Sequence, residues 1–187
     1  MSDPSLKVGD ILRAAHPLAR ELIARLPMGA TVVELGRGSG RNRAALEASG
    51  HRVIDLGGSC AERSHCAALT THALLHGSEA EIANLCERLA EVLEAGGSLF
   101  ATFGSTDDAR YGLGIAHGAH SFAASEGDEI GVTHTFFDEP RLRALLEGNF
   151  EIESLRRCPV DDVVGAWAHQ GEPLRGGVHW FVIARRR

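Results

Sequence analysis

One strand–turn–helix segment restricts the fold of this chain more than any other part of the sequence. Residues 31–35, Thr-Val-Val-Glu-Leu, are short and rich in β-branched side chains, which is typical of a buried strand. Gly36, Gly38 and Gly40 follow at alternate positions, and a helix is predicted over about 40–49. Glycine permits positive φ and close approach of a ligand to the backbone, and the N-terminus of a helix adds unpaired N–H groups. The segment therefore predicts a turn that binds a small molecule.

Two acidic residues accompany this turn. Glu34 lies near the end of the first predicted strand, and Asp55 lies near the end of a second one over 52–56. In nucleotide-binding βαβ units, an acidic residue about 20 positions after the first glycine holds a ribose hydroxyl. Two plainer interpretations stay open: the turn is only a tight connection, or Asp55 caps a helix or faces solvent.

Apolar spacing predicts the other elements. Strands alternate with helices, which indicates one α/β domain over 1–187 with a mostly parallel sheet. Residues 104–137 contain six glycines and little periodicity, and so long a loop is usually functional, so we expect a lid over the substrate. The predicted helices cover 5–27, 79–94 and 138–147, and the further predicted strands cover 66–71, 98–103, 150–155 and 178–184.

Charge and composition restrict the partners. The formal net charge is −6, so no basic surplus favours duplex nucleic acid, and the basic run Arg185–Arg187 is interpreted as a solvated tail. No apolar run is long enough for a membrane helix, and the N-terminal residues do not have the pattern of a secretory signal. Four scattered cysteines without a CxxC pair favour reduced thiols. These features predict a cytoplasmic protein with a small-molecule partner, without nucleic-acid or membrane binding.

The ordered motifs resemble those of class I S-adenosylmethionine-dependent methyltransferases. Gly-x-Gly-x-Gly after an acidic residue is similar to the first motif of that family, whereas a dinucleotide motif would need glycine where Arg41 stands. Residues 68–76 resemble the fourth-strand motif of small bacterial members, and 94–99 resemble the entry into strand five. Residues 102–112 and 134–137 are similar to the substrate side of a subgroup near the tellurite-resistance and thiopurine-type enzymes. The resemblance covers most of 30–155 and implies a Rossmann-like α/β fold with helices on both faces.

The resemblance also implies a cofactor, S-adenosylmethionine, with S-adenosylhomocysteine as product, and methyl transfer to an O, N or S atom of a small molecule. Residues 30–103 would form the cofactor half and 138–187 the C-terminal half. Glu34 and the three glycines would line the methionine end, Asp55 the ribose, and Thr71 and His72 the methyl path. Arg37 would contact the carboxylate or crowd the pocket. The implied cofactor residues are Glu34, Gly36, Arg37, Gly38, Gly40, Asp55, Thr71 and His72.

Catalytic candidates are side chains that can accept a proton from an acceptor hydroxyl or amine. His72 and His134 are the first of these, followed by Tyr111, although a structural role for each stays open. His72 and His76 are four residues apart, as metal-ligand pairs on a helix are. No third ligand with zinc-site spacing accompanies them, so no metal is expected.

One departure from the family pattern leaves two other functions open. The connection from Asp55 to Cys66 is too short for a helix and a strand, so we expect about six strands with strand three and the adenine-side wall missing. Gly57, Gly58 and Ser59 together with a neighbouring subunit would then hold the adenine, and a homodimer is one way to cover the exposed sheet edge. Alternatively, the chain has lost the cofactor and is a binding or regulatory module, or an enzyme that uses pocket histidines without a cofactor.

Overall fold

The computed structural model describes residues 8–56, 65–126, 129–160 and 175–187. They form five α-helices, nine strands and one short 3₁₀ turn over Ala73–Leu75. The helices are α1 (Val8–Ala14), α2 (Pro17–Arg25), α3 (Arg41–Ala48), α4 (Glu79–Val92) and α5 (Glu139–Glu147). The strands are β1 (Thr31–Leu35), β2 (Arg52–Asp55), β3 (His65–Thr70), β4 (Leu93–Ser105), β5 (Ile115–Ala116), β6 (Ser121–Ala123), β7 (Thr133–Phe137), β8 (Phe150–Pro159) and β9 (Val178–Arg186).

The main sheet has the order β2-β1-β3-β4-β9-β8. The first four strands are parallel, with Val33 of β1 opposite both Ile54 and Ala68. β9 runs antiparallel between β4 and β8. The predicted α/β fold with a mostly parallel sheet is therefore confirmed, and the parallel strands direct their carboxyl ends, with residues 35–36 and 70–72, to one edge.

Helices cover both faces of this sheet because neighbouring strand residues point to opposite sides. Val32 packs in a core with α2 and α3, whose contributions include Leu22 and Leu46. Val33 packs in a second core with α4 and α5, including Leu89 and Leu142. All six side chains are fully buried. Because Val32 and Val33 face different cores, the continuous apolar strand indicates a sheet that is buried on both sides.

The helix predicted over 5–27 is divided into α1 and α2 in its described part, which is a correction. Pro17 has no backbone N–H and therefore cannot continue a helix, but it is well placed in the first turn of a new one. His16 caps that new helix, since its Nδ1 accepts a hydrogen bond from the Leu18 N–H at 3.1 Å.

Residues 104–137 are more ordered than predicted, and this too is a correction. β7 continues the sheet by pairing in parallel with the end of β4, and β6 and β5 follow as antiparallel strands. We refer to the described residues from the end of β4 to the end of β7, 106–126 and 129–137, as the outer lobe. Its three strands have only two to five residues each, which is too short for a clear alternating pattern. They also raise the strand number above the predicted six.

The basic run near residue 185 is not a solvated tail. Arg185 and Arg186 belong to β9. Nη2 of Arg185 lies 2.6 Å from Oε1 of Glu153, and Nε of Arg186 donates to the Ala90 carbonyl at the end of α4. The charges therefore pair with, or cap, neighbouring elements.

At the other edge of the sheet, β2 pairs with β1 and with no second strand in the ranges that the structure describes. Residues 57–64, which include the residues 57–59 expected beside the adenine, lie outside those ranges. Within the same ranges, no helix has the length and apolar character that crossing a membrane requires.

Candidate functional site

The glycine turn joins β1 to α3 at the carboxyl edge of the sheet. Gly36, Gly38 and Gly40 have φ values of 83°, 49° and 78°, a region that side chains rarely occupy. A Cβ on Gly36 would lie 2.8 Å from the Ala73 Cβ, so the turn packs directly against the segment after β3. A Cβ on Gly38 or Gly40 would meet nothing within 4 Å. The turn is thus closed on the protein side and open where a ligand could approach.

The two acidic residues predicted beside this turn lie on neighbouring strands and share one cation. Glu34 and Asp55 are opposite each other in the β1–β2 register. Arg43 of α3 donates from Nε to Oε2 of Glu34 at 3.3 Å and from Nη2 to Oδ1 of Asp55 at 2.7 Å. Asp55 remains half exposed, whereas Glu34 is buried. Burial raises the pKa of Glu34, and the nearby Arg43 charge opposes that shift.

Glu34 keeps one buried oxygen available. Oε1 has no hydrogen-bond partner among the described residues, although it is shielded from solvent. A buried acceptor without a hydrogen bond lowers the stability of the fold. A ligand that donates a hydrogen bond to Oε1 would remove that cost. Arg37, predicted to contact or crowd the ligand, is exposed. Its charge lowers the pKa of Glu34 less than burial, Arg43 and Asp55 change it.

A buried hydrogen-bond chain fixes Thr71, a predicted cofactor residue. Oγ1 of Thr71 accepts from Nδ2 of Asn42 at 2.9 Å, and Oδ1 of Asn42 accepts from the His16 N–H at 2.9 Å. These two hydrogen bonds connect the end of β3 to the start of α3 and to the α1–α2 junction. They explain why a polar Asn42 is buried within a helix that otherwise buries apolar groups.

His72 adopts a left-handed conformation at the end of β3. Its φ of 72° is the only positive value outside glycine in the described part of the chain. The Thr102 hydroxyl holds it there by accepting from the His72 N–H at 2.8 Å. Such strain is unfavourable by about 1–3 kcal/mol and concentrates at functional sites. The conformation therefore makes His72 a candidate functional residue.

The His72 ring lies between two further histidines. Its centroid is 5.0 Å from that of His179 and 6.2 Å from that of His16. Burial lowers the pKa of His72 well below its usual value, and the pKa values of His179 and His16 fall to about 3 and about 2 for the same principal reason. The three imidazoles are therefore neutral near pH 7. A neutral ring can accept a hydrogen bond through its unprotonated nitrogen.

Two arginines add positive charge around this trio. Burial, followed by the charge of Arg20, lowers the pKa of Arg41 at the start of α3 to about 9. Arg110 donates from Nη2 to Nε2 of His179 at 3.2 Å, and since a guanidinium only donates, that nitrogen is the acceptor. Arg110 also makes a two-pronged contact with the buried Asp108 at 2.8 and 2.9 Å.

The other two catalytic candidates lie in the outer lobe, and, after burial, the charge of one of them, His134, is among the causes that lower the pKa of His179. Tyr111 places its hydroxyl 2.9 Å from Nδ1 of His120 and packs against Phe122 and Phe136. His134 of β7 lies against His76 and Glu129. The described contacts therefore place only His72 beside the glycine turn, and a catalytic role for each of the three stays a prediction.

Several residues at the site are not apparent from sequence patterns. Arg43, Asn42 and Arg41 belong to a helix whose role beside the turn appears only when it lies over β1 and β2. His179 reaches the site from the far end of the chain. A signal did exist for His16, because a residue before proline at a helix start is a recognisable cap position.

No family model matches the sequence, and no curated protein matches it significantly. Solved structures do match. A S-adenosylmethionine-dependent methyltransferase from Methanosarcina mazei superposes with a TM-score of 0.65 at 17% identity, over 88% of this chain and 96% of that one. The chain has the class I methyltransferase fold. The 1,6-didemethyltoxoflavin N1-methyltransferase of Burkholderia thailandensis, solved with its substrate and S-adenosylhomocysteine, gives 0.62 at 18% identity over 94% and 78%.

The class I methyltransferase fold does not by itself fix the reaction. The cyclase SpnF also matches, with a TM-score of 0.53 at 14% identity over 88% of this chain and 79% of that one. Function therefore has to be argued from the residues of the site.

The residues of this class I methyltransferase fold suit S-adenosylmethionine at two places. The open directions of Gly38 and Gly40 leave room for the amino-acid end of the molecule, beside the unpaired Oε1 of Glu34. Asp55 is half exposed and engages Arg43 through Oδ1, which leaves Oδ2 for a ribose hydroxyl. The segment that would border the adenine, residues 57–64, lies outside the described ranges.

Proposed function

We propose that this chain is a S-adenosylmethionine-dependent methyltransferase that acts on a small-molecule nucleophile. The observation that carries the proposal is the glycine turn, open to a ligand at Gly38 and Gly40 and adjoining a buried Glu34 oxygen without a partner in the described part of the chain. A turn that served only to connect β1 to α3 would have no need of a buried, unsatisfied carboxylate oxygen beside it.

Each residue of the site has a distinct task in this proposal. Glu34 accepts from the ammonium group at the methionine end, while the backbone of residues 36–40 lies against it. Asp55 accepts from the ribose. When bound, the cofactor supplies an electrophilic methyl group for direct transfer to the acceptor atom.

His72 orients the acceptor in this proposal. Its ring is neutral near pH 7 because burial lowers its pKa, so it can accept a hydrogen bond from a hydroxyl or amine. The hydrogen bond from Asn42 fixes Thr71, and Thr71 in turn positions the adjacent His72. Tyr111 and His134 remain second candidates, as parts of an outer lobe that would exclude water from the acceptor side.

The remaining expectations concern partners and location. A small-molecule acceptor is supported by the substrate bound to the Burkholderia thailandensis neighbour. The acidic net charge favours no nucleic-acid partner. We also expect a cytoplasmic protein, and a homodimer through the edge strand β2 if that edge is covered by a second copy.

Calorimetric titration with S-adenosylmethionine and S-adenosylhomocysteine tests the proposal. We expect binding in the micromolar range, lowered at least about tenfold in Gly38→Ala and in Asp55→Ala. Gly96→Ala is the matched control, because Gly96 also has positive φ, 80°, and open space at its Cβ position but lies in β4, away from the turn.

One result of this titration would support the proposal, and another would contradict it. Retained affinity in Gly96→Ala with loss in Gly38→Ala would locate the cofactor at the turn, since both substitutions place a Cβ in open space on a backbone with positive φ. Absence of binding by the folded wild type at millimolar ligand would contradict the proposal and favour a binding module or a cofactor-independent enzyme.

A further inference from the structure

Three metal-ligating side chains meet where the segment after β3, which carries His76, contacts the outer lobe, which carries Glu129 and His134. The ligand atoms of His76, Glu129 and His134 all lie within 4.8 Å of one another. Nε2 of His134 is 3.0 Å from Oε2 of Glu129, and Nε2 of His76 is 3.4 Å from Oε1 of the same carboxylate. Ligand atoms bound tetrahedrally to zinc at 2.0–2.2 Å are separated by about 3.3 Å. The observed separations are close to that value.

The tautomer of His134 prepares its Nε2 to be a ligand. Nδ1 of His134 lies 3.1 Å from the Val132 carbonyl oxygen, which can only accept, so Nδ1 carries the hydrogen. In the neutral ring, Nε2 then presents a lone pair toward Glu129. Metal-bound histidines commonly have this arrangement, with the second nitrogen donating to a carbonyl.

The same Nε2 is an unsatisfied buried atom. His134 is 4% exposed, and its Nε2 makes no hydrogen bond of acceptable geometry within the described residues, although the carboxylate is close. Two lone-pair atoms facing each other at this separation repel unless a cation lies between them. A metal ion bound between the two atoms would remove that repulsion.

The backbone holds the three side chains in place without a ligand. His76 and His134 form an antiparallel bridge, the Gly77 N–H donates to the Thr133 carbonyl at 2.8 Å, and the Thr135 hydroxyl donates to the Gly77 carbonyl at 2.6 Å. The Val132 N–H donates to the Glu129 carbonyl at 2.9 Å, so one short turn positions both Glu129 and the carbonyl that orients His134. Prepositioned ligands lower the cost of binding.

We propose that His76, Glu129 and His134 bind a divalent transition-metal cation of the zinc type, with a fourth position filled from solvent. Two imidazoles and one carboxylate suit Zn²⁺ or Co²⁺, whereas Mg²⁺ and Ca²⁺ prefer oxygen ligands. The metal would clamp the outer lobe to the segment after β3. This departs from the sequence-based expectation of no metal, which considered His72 with His76. The third ligand, Glu129, comes from a distant turn that spacing does not reveal.

Titration of the chelator-treated full chain with Zn²⁺ tests the site, followed by Co²⁺ for its visible absorption. We expect one equivalent bound by the wild type. Affinity should fall at least about 100-fold in Glu129→Gln and in His76→Gln, whose side chains are partly exposed and tolerate the exchange. His134→Gln should behave alike. His117→Gln is the matched control, an exposed histidine of the same lobe that contacts Thr133 rather than the cluster.

Three results would overturn the assignment. One is a wild type that binds no stoichiometric Zn²⁺ at micromolar concentration. Another is equal affinity in the wild type and the Glu129→Gln variant. The third is an intense near-ultraviolet band with Co²⁺, which would show thiolate ligands instead. Because the readouts are metal binding and absorption, failure here leaves the proposed methyl transfer unaffected.

Discussion

Nη2 of Arg43 lies 2.7 Å from Oδ1 of Asp55, the residue expected to hold a ribose. The same guanidinium reaches the buried Glu34 at 3.3 Å, so one cation of α3 serves two acids at the ends of β1 and β2. The arrangement keeps two carboxylates close together at the carboxyl edge of the sheet, where their mutual repulsion would otherwise favour protonation of one of them.

Removing this cation should destabilise the fold. We expect Arg43→Met to lower the free energy of unfolding by about 1–3 kcal/mol, because the buried Glu34 loses its charged donor. The double variant Arg43→Met, Glu34→Gln should recover part of that loss. Urea denaturation of the wild type, the two single variants and the double variant measures the coupling free energy between Arg43 and Glu34. Additive effects of the two substitutions would show that this contact does not contribute to stability.

The packing of Gly36 against Ala73 predicts a second, local effect. Gly36→Ala should cost about 1–3 kcal/mol for overpacking, in addition to about 1 kcal/mol for its positive φ. Gly29→Ala should show only the backbone part, since Gly29 has a φ of 80° and open space around its Cβ position.

Ala73→Gly in the Gly36→Ala background distinguishes the two contributions. It removes the methyl group that lies 2.8 Å from the new Cβ, so thermal and chemical unfolding should return to near the stability of Gly29→Ala. No recovery in the double variant would mean that strain, rather than the clash, dominates.

Acid should unfold the protein through its buried histidines. The pKa of His16 is about 2 in the folded state and about 6.5 when unfolded, so the unfolded state binds the proton first as the pH falls. Stability is therefore lost below about pH 6.5, at about 1.4 kcal/mol per pH unit for this group. His179, with a pKa of about 3, adds a similar slope.

His16→Asn checks this prediction, because asparagine is also a good N-cap and can accept from the Leu18 N–H but does not titrate. Between pH 7 and pH 5 the variant should lose about 2 kcal/mol less than the wild type. Parallel stability curves for the two proteins over that range would show that His16 is not neutral in the folded state.

His72 predicts a separation of activity from stability. His72→Asn keeps a residue that tolerates the left-handed conformation while removing the imidazole. We expect kcat for the acceptor found by screening to fall about 100-fold or more, with KM for the cofactor and the melting temperature little changed. An undiminished kcat would remove His72 from the catalytic candidates and leave Tyr111 and His134.

The parts of the fold that the sequence predicts are those encoded by neighbouring residues. The β-branched run at 31–35, buried on both faces, and the glycines after it predict β1, the turn and α3. The break at Pro17 is equally local and could be predicted, because proline at a helix start is a recognised signal. The short strands of the outer lobe are not predicted, because β6 and β7 acquire their order from pairing with each other and with β4.

The site is predicted less completely, for a physical reason. Glu34, the glycines and Asp55 belong to one βαβ unit with nearly fixed spacing. The contacts of Arg43, the histidine trio and the His76–Glu129–His134 cluster depend on how separate segments meet, and no spacing along the chain determines that. Thus the sequence indicates where a ligand would approach the backbone but not which charges surround it.

The position of β9 has a consequence for synthesis. This strand lies between β4 and β8, both of which precede it along the chain. A nascent chain that has not yet reached residue 178 therefore lacks the strand that pairs with β4 and with β8. Unpaired strand edges recruit other strands. During the interval between translation of β8 and translation of β9, these two strands therefore lack their native partner.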